Sequence, residues 1–420
     1  METTDARRPV RPLWPLTAWG ATRLVLLLFV LKVLVLPGPD VTSDVSVIYR
    51  GWYGILRTGT FPLDDVTWQY PPAAALAILS PGLLPFLDYP TAFFALACAA
   101  DLAVLCLLLR AGRGRGRARA GAWVWIVGVP LLGPTVYARY DVMVTAVAVA
   151  ALLAAGRHPR AAGALAAFGA LLKVWPAFVL LGMRGRGPWA AAAVTGAGLA
   201  GLFAVTMPGA FAFLTFQRER GTEVESLGSL VLHVARHHGW DGRVLLNYGS
   251  VEFLGPHVDT VSTAALVLAA LAFGWLLLWR LTATRFAAHT AADAAFTAVL
   301  MFTVTSRVIS PQYMVWLVGL AAVCRCHAAS RMRVPAVLVL AASAVTVLEF
   351  PVWFAHVVAS DALGVTLLAV RNGLLVAAAL TAARALWRDT APHTGRGRGR
   401  PGGSGRFSRA PSADRPATAP

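Results

Sequence analysis

Long apolar runs decide what this chain can become. Leu16–Leu36, Thr91–Leu109, Trp189–Met207, Val258–Trp279, Pro335–Phe354 and Gly364–Leu386 approach or exceed the ~18 residues with which a helix crosses a bilayer. A soluble domain has nowhere to bury so many. Only 14% of the chain is charged, against about 25% in soluble domains. The reading is all-α: a polytopic integral membrane protein with a bundle of roughly 10–13 transmembrane or re-entrant helices. The membrane-embedded domain covers residues 1–388. Two long extracytoplasmic loops interrupt it, at 37–71 and 208–256. Residues 389–420, rich in Gly, Arg, Ser and Pro, read as a disordered basic cytoplasmic tail.

The net charge of +17 would suggest nucleic acid in a soluble protein. Here the arginines gather in short loops between apolar runs, as cytoplasmic segments require. No nucleic-acid partner is expected; the partners are membrane lipids. Both termini read as cytoplasmic in a multi-pass cell-membrane protein. No small-residue cleavage site follows Leu16–Leu36, so this run reads as a retained first helix. Cys98 and Cys106 lie within an apolar run and read as packing residues. Cys324, Cys326 and His327 have no second ligand cluster, so no metal site is expected there.

The basic loop around Arg110–Arg119 and the loop 37–71 must lie on opposite faces. An odd number of crossings therefore separates them. Pro72–Leu87, broken by Pro81 and Pro85, is the segment expected not to cross. Ala161–Met183 has basic flanks on both sides and reads as a hairpin with its tip at Lys173 and Pro176. Ala291–Val323 reads as a second hairpin or a helix pair, broken at Ser306–Tyr313. Leu227, Leu230, Val231 and Val234 recur at helical spacing against Arg236, His237 and His238. They suggest a short amphipathic helix in the membrane interface. Arg371 and Asn372 lie deep in the last helix, where Arg371 is expected to tie helices together or contact lipid phosphate.

The richest polar stretch is Asp40–Pro72. It carries Asp40, Asp44, Asp64 and Asp65, and the rings Tyr49, Trp52, Tyr53, Trp68 and Tyr70. A loop of this content exceeds what joining two helices demands. This topology brings Asp40 and Asp44, the Arg139–Asp141 turn, Lys173 and the Ser306–Tyr313 break to one face. The stretch Gln217–Ser226, with Glu225 and Ser226, opens the second loop on that face. Intramembrane charges are costly, so they are paired or functional. Cations within and carboxylates above suit one task. Lys173, Arg139 or Arg307 would hold an anionic lipid phosphate, and an aspartate would activate a hydroxyl. Asp141 reads equally as a partner for Arg139.

D-V-S-V-I-Y-R with G-x-F-P and Y-P-P, then L-L-K-x-x-P, then S-R-V-I-S-P-Q-Y, resembles glycosyltransferase family 87. These are polyprenol-phosphate-mannose-dependent mannosyltransferases of the glycosyltransferase C superfold. The resemblance runs from Asp40 to Trp316. It implies a site on the extracytoplasmic face, a polyprenyl-phosphate sugar donor and inversion at the anomeric carbon. The family's base maps onto Asp44. An extra residue between Asp44 and Tyr49 leaves Asp40 as the other candidate. Lys173 and Pro176 match Lys-x-x-Pro, and Gln312 and Tyr313, within Ser310–Tyr313, would shape the donor pocket. Glu225 and Ser226 resemble an acceptor-binding position.

The expected chemistry needs no cofactor beyond the lipid-linked donor. A phosphate leaves without a strong general acid, so one base and a cationic cradle suffice. Arg and Lys can neutralise a single phosphate, so no metal is expected. The acceptor reads as a glycolipid or polysaccharide. The rival reading is a lipid-linked-sugar flippase or secondary transporter, which would carry internal repeats and a midplane site. The two hairpins have dissimilar tips, and the polar residues favour loops.

Overall fold

A computed structural model describes residues 13–216 and 221–391. The basic N-terminal stretch, Gln217–Arg220 and residues 392–420 of the expected tail lie outside them. Among the described residues, six helices are long and apolar enough to cross a membrane, and five shorter apolar helices accompany them.

The chain begins with α1 (Leu13–Val30). This helix ends short of the expected Leu36. Lys32 adopts φ 60°, and the chain turns into the first loop. A π-type turn over Asp44–Tyr49 leads into α2 (Arg50–Leu56). Then α3 (Ala74–Leu79) continues as a 3₁₀ turn through Leu83. It starts where the Ala73 amide donates to Leu171 O and ends with Gly82 against Tyr53. The proline-rich segment therefore stays at one end of the bundle, as Pro81 and Pro85 suggest.

Asp88 caps α4 (Tyr89–Ala111) through the Thr91 amide, with Pro90 in the first turn. Next come α5 (Ala120–Gly128), a 3₁₀ stretch over Pro130–Val136, and α6 (Asp141–Ala154). The expected hairpin is present. Helix α7 (Pro159–Leu172) stops at Lys173, whose backbone is extended, and a 3₁₀ arm (Trp175–Gly182) folds back on it. A Cβ at Gly169 would lie 2.8 Å from Pro176 Cβ, so the arms need that glycine for close approach.

The outer helices α8 (Arg186–Thr206) and α11 (Val258–Thr282) bury only 11% of their apolar windows. They offer the rest to lipid. By contrast α12 (Thr290–Thr305) and α13 (Tyr313–Arg325) are buried nearly all round and form the bundle centre. Their junction at 306–312 is the second hairpin's break. Irregular backbone at such a place is tolerated only when protein surrounds it. The chain closes with α14 (Arg333–Val347), a π-type turn to Val352, α15 (Phe354–Ala359) and α16 (Ala362–Thr390). The last helix thus passes the expected boundary at 388.

The second loop departs from the all-α reading. Between α8 and α11 it carries α9 (Phe213–Phe216), β1 (Thr222–Glu223), α10 (Ser229–Arg236), β2 (Arg243–Asn247) and β3 (Ser250–Leu254). The strands form an antiparallel sheet in the order β1-β3-β2. Tyr248 and Gly249 both have positive φ and make the two-residue turn that right-twisted hairpins prefer. Helix α10 is amphipathic, as expected, and His233 lies on its packed side. It is buried, with Nδ1 at 2.6 Å from Ser360 Oγ and Nε2 at 2.8 Å from Val224 O.

Two buried ion pairs tie the helices. Arg23 of α1 meets Asp101 of α4 at 2.8 Å. Arg371 of α16 meets Glu349 at 2.6 Å, in the tying role expected of it. Cys324 and Cys326 are buried free thiols.

Candidate active site

At the end of the bundle where the first loop, the Lys173 tip, the 306–312 break and the sheet converge, a cavity of about 390 Å³ opens. Asp44, Tyr70, Lys173, Arg307, Gln312 and Tyr313 all line it. These six residues, far apart in sequence, thus share one space.

Asp44 opens the tight turn of the first loop. Its Oδ2 lies 2.7 Å from Arg139 Nη2. Arg139 in turn donates to Ala138 O at 2.8 Å and Val41 O at 3.3 Å. The guanidinium is therefore spent on the carboxylate and on backbone, and Arg139 does not line the cavity. It holds Asp44 rather than standing ready for a phosphate. The other Asp44 oxygen, Oδ1, carries no hydrogen bond from the described residues.

Lys173 follows the last residue of α7. Its Nζ is 2.7 Å from Asp141 Oδ1, and Trp316 Nε1 donates to the same oxygen at 2.6 Å. Arg139 and Asp141 are thus not each other's partners; each holds a different cavity residue. The Lys173 ammonium also sits 5.5, 5.2, 5.7 and 5.0 Å from the ring centres of Tyr70, Tyr140, Tyr313 and Trp316. Aromatic faces attract a cation at this range. Asp141 is buried and its Oδ2 has no partner among the described residues. It stands behind Lys173 rather than in the cavity.

Rings of the first loop line the cavity as well. Tyr49 and Trp52 stack at 5.5 Å, and Trp52 meets Tyr70 edge-on at 5.8 Å. Asp65 accepts from Trp52 Nε1 at 2.7 Å, so this acid orients a ring. Burial, then the nearby Asp44 carboxylate, push the Tyr70 phenol up to about 12. It stays protonated and can donate a hydrogen bond.

Three expected residues lie elsewhere. Asp40 is an exposed partner of Lys32 at 2.8 Å, with side chains 48% and 59% exposed. Partial burial raises its pKa, but hydrogen bonds from Lys32 and Thr42 outweigh that and hold the carboxyl below its usual range. Asp40 does not line the cavity, because the turn at Thr42–Asp44 points it away. Glu225 and Ser226 are drawn under the sheet. Arg371 Nη2 donates to Glu225 O at 2.9 Å and Asn372 Nδ2 to Ser226 O at 3.3 Å. Burial, then Glu349 and Glu223, push the Glu225 carboxyl well above the usual range.

The sequence reading missed Tyr248, Gly249 and Ser250, which line the cavity from the hairpin turn. The signal was present in N-Y-G-S between two short β-type runs, but the loop's charges drew attention away. It also missed Glu223, which accepts from Ser310 Oγ at 3.1 Å. Among the described residues, no group of three or more His, Cys, Asp or Glu side chains is arranged to hold a metal ion.

A carboxylate with one open oxygen that shares an aromatic-lined cavity with an ammonium and a guanidinium can take a proton beside a bound anion. No curated protein matches the chain. The sequence model of glycosyltransferase family 87 matches residues 68–311, more than half of the 420 residues. The match spans Lys173, the second loop and most of the 306–312 break. The chain belongs to glycosyltransferase family 87 and is a polytopic membrane glycosyltransferase of the glycosyltransferase C type.

Proposed function

We propose that the protein is an inverting transferase. It moves mannose from a polyprenyl-phosphate donor to an acceptor hydroxyl of a glycolipid or polysaccharide on the extracytoplasmic face. One arrangement carries the reading. Asp44 is the single carboxylate among the described residues that line the cavity, and it shares that cavity with Lys173 and Arg307. Hydrolysis of a glycoside calls for two carboxylates, one of them a general acid. Displacement of a phosphate calls for one base and a cationic cradle.

In this reading Asp44 Oδ1 accepts the proton of the acceptor hydroxyl. The hydroxyl oxygen bonds to the anomeric carbon from the side opposite the phosphate. The bond from that carbon to the phosphate oxygen breaks, and its electron pair leaves with the polyprenyl phosphate. Lys173 and Arg307 hold the growing negative charge. Arg139 keeps Asp44 aimed, and Asp141 with Trp316 keeps Lys173 aimed. Gln312, Tyr313 and Tyr70 offer hydrogen bonds to the sugar. No metal or other cofactor takes part, since the two cations meet one phosphate.

The test uses purified protein in liposomes with polyprenyl-phosphate mannose labelled in the sugar, and a lipid extract as acceptor. The expected result is a new labelled product with inverted anomeric configuration. Donor that moves between leaflets without being consumed would replace this reading with a flippase.

A further inference from the structure

The second loop puts two buried acids side by side next to the cavity wall. In the β1–β3 pairing, Glu223 lies directly opposite Glu252. Both are buried, at 3% and 0% exposure. Like charges in directly opposed positions destabilise a sheet, and burial away from water adds to the cost. A break in a local rule of this kind marks a position kept for function.

Each acid reaches a different part of the cavity wall. Glu223 accepts from Ser310 Oγ at 3.1 Å, and its own amide donates to Arg307 O at 3.0 Å. Ser310 and Arg307 both line the cavity. Glu252 Oε1 accepts from Ser250 Oγ at 2.9 Å. Its Oε2 accepts from the Gly221 amide at 3.0 Å and Asn247 Nδ2 at 3.2 Å. Those bonds close the hairpin turn that brings Tyr248, Gly249 and Ser250 to the cavity. Between the ends of α12 and α13 the backbone is irregular: the Ser306 amide donates to Thr303 O, the Val308 amide to Ser306 Oγ, and the carbonyls of Ser310, Pro311 and Gln312 accept from the start of α13, so Glu223 adds a hold from outside on the Arg307–Ser310 stretch.

We propose that Glu223 and Glu252 are a pair of positioning residues that fix two walls of the cavity. Glu223 sets the Arg307–Ser310 wall, and Glu252 sets the Tyr248–Ser250 wall. The sheet between them keeps the walls in register. This rests on the transferase reading above for its effect on activity: a correctly placed Arg307 wall binds the donor's phosphate. Neither acid touches the reacting atoms.

The experiment compares wild type with Glu223→Gln, Glu252→Gln and Ser310→Ala, each in lipid nanodiscs. Amide hydrogen exchange is followed by mass spectrometry, and transfer is measured against polyprenyl-phosphate mannose concentration. Ser310→Ala loses the hydrogen bond and should speed exchange in 306–312 roughly ten-fold, while Glu223→Gln keeps an accepting oxygen without its charge and should speed it about three-fold. Exchange over 40–49 should not change. Glu252→Gln should speed exchange in 247–251 instead. Glu223→Gln should raise KM for the donor roughly ten-fold and move kcat less than about three-fold. Unchanged exchange in 306–312, or equal acceleration throughout the chain, overturns the proposal. Should wild type transfer no sugar, the transferase reading fails, while the exchange measurements still decide the positioning role.

Discussion

Two groups of charges in this bundle use the same residue types to opposite ends. Asp101 is saturated. It accepts from Arg23 Nε at 2.8 Å, Trp125 Nε1 at 2.6 Å, Tyr137 OH at 2.6 Å and Trp19 Nε1 at 2.9 Å. Arg23 spends its remaining donors on Ile126 O and Trp125 O. Nothing is left over, and neither residue lines the cavity. Asp44 is held by Arg139 and Lys173 by Asp141, and both line the cavity. A buried charge whose hydrogen bonds are all closed by protein serves the fold. One that is aimed by a partner and left partly open can serve chemistry.

The sharpest way to break this contrast is to cut the closed group. Asp101→Asn leaves the Arg23 guanidinium buried without its counter-charge. Removing one partner of such a pair costs about 3–5 kcal/mol. We expect that loss in unfolding measurements in detergent, with transfer per folded molecule near wild type. Lost transfer with unchanged stability would reverse the assignment. At the open site, Lys173→Met removes a preorganised cation and should cost about 10²–10³ in transfer. Lys173→Arg should not restore it, because a planar guanidinium does not fit the box of four rings. Full activity in either variant would take Lys173 out of the phosphate cradle.

Glu225 sharpens the comparison from a third position, buried but only partly bonded. Its folded pKa lies well above the ordinary glutamate value of 4.5. The folded state therefore keeps a proton that the unfolded chain releases. Stability is greatest below about pH 4.5 as far as this group is concerned, and falls as pH rises above it. The slope is about 1.4 kcal/mol per pH unit until the folded group ionises. Melting of wild type across pH 5 to 8 should show this decline, and Glu225→Gln should flatten it. The smallest effect is expected at Asp40, whose pair with Lys32 is exposed. Asp40→Asn should change stability by less than about 1 kcal/mol and leave transfer intact. A large loss of transfer would return Asp40 to the list of bases.

Much of this fold is legible because apolar length and arginine placement act locally. Basic flanks and Pro176 are enough to call the Lys173 hairpin. The S-R-V-I-S-P-Q-Y run announces a break between α12 and α13, since a proline there cannot continue a helix. The partnerships are harder to read. Arg139 and Asp141 are two residues apart, yet each pairs across the bundle, with Asp44 and Lys173, because neighbours on a helix start point to different sides. Arg23 and Asp101 lie 78 residues apart in sequence, and no local pattern joins them. The sheet is hidden because its strands are two to five residues long and lie in a loop whose charges suggest exposure. Glu225 looked available for an acceptor, but only the packing of α16 beneath it shows that Arg371 and Asn372 hold its backbone.

Everything proposed for the reaction turns on the open oxygen of Asp44 acting as the base. Asp44→Asn keeps the size of the side chain and removes the negative charge. The direct measurement is single-turnover transfer by Asp44→Asn in liposomes, with polyprenyl-phosphate binding measured alongside. We predict a rate lower by about 10²–10⁴ with donor binding within a few-fold of wild type. Transfer at the wild-type rate, with donor bound normally, would contradict the claim.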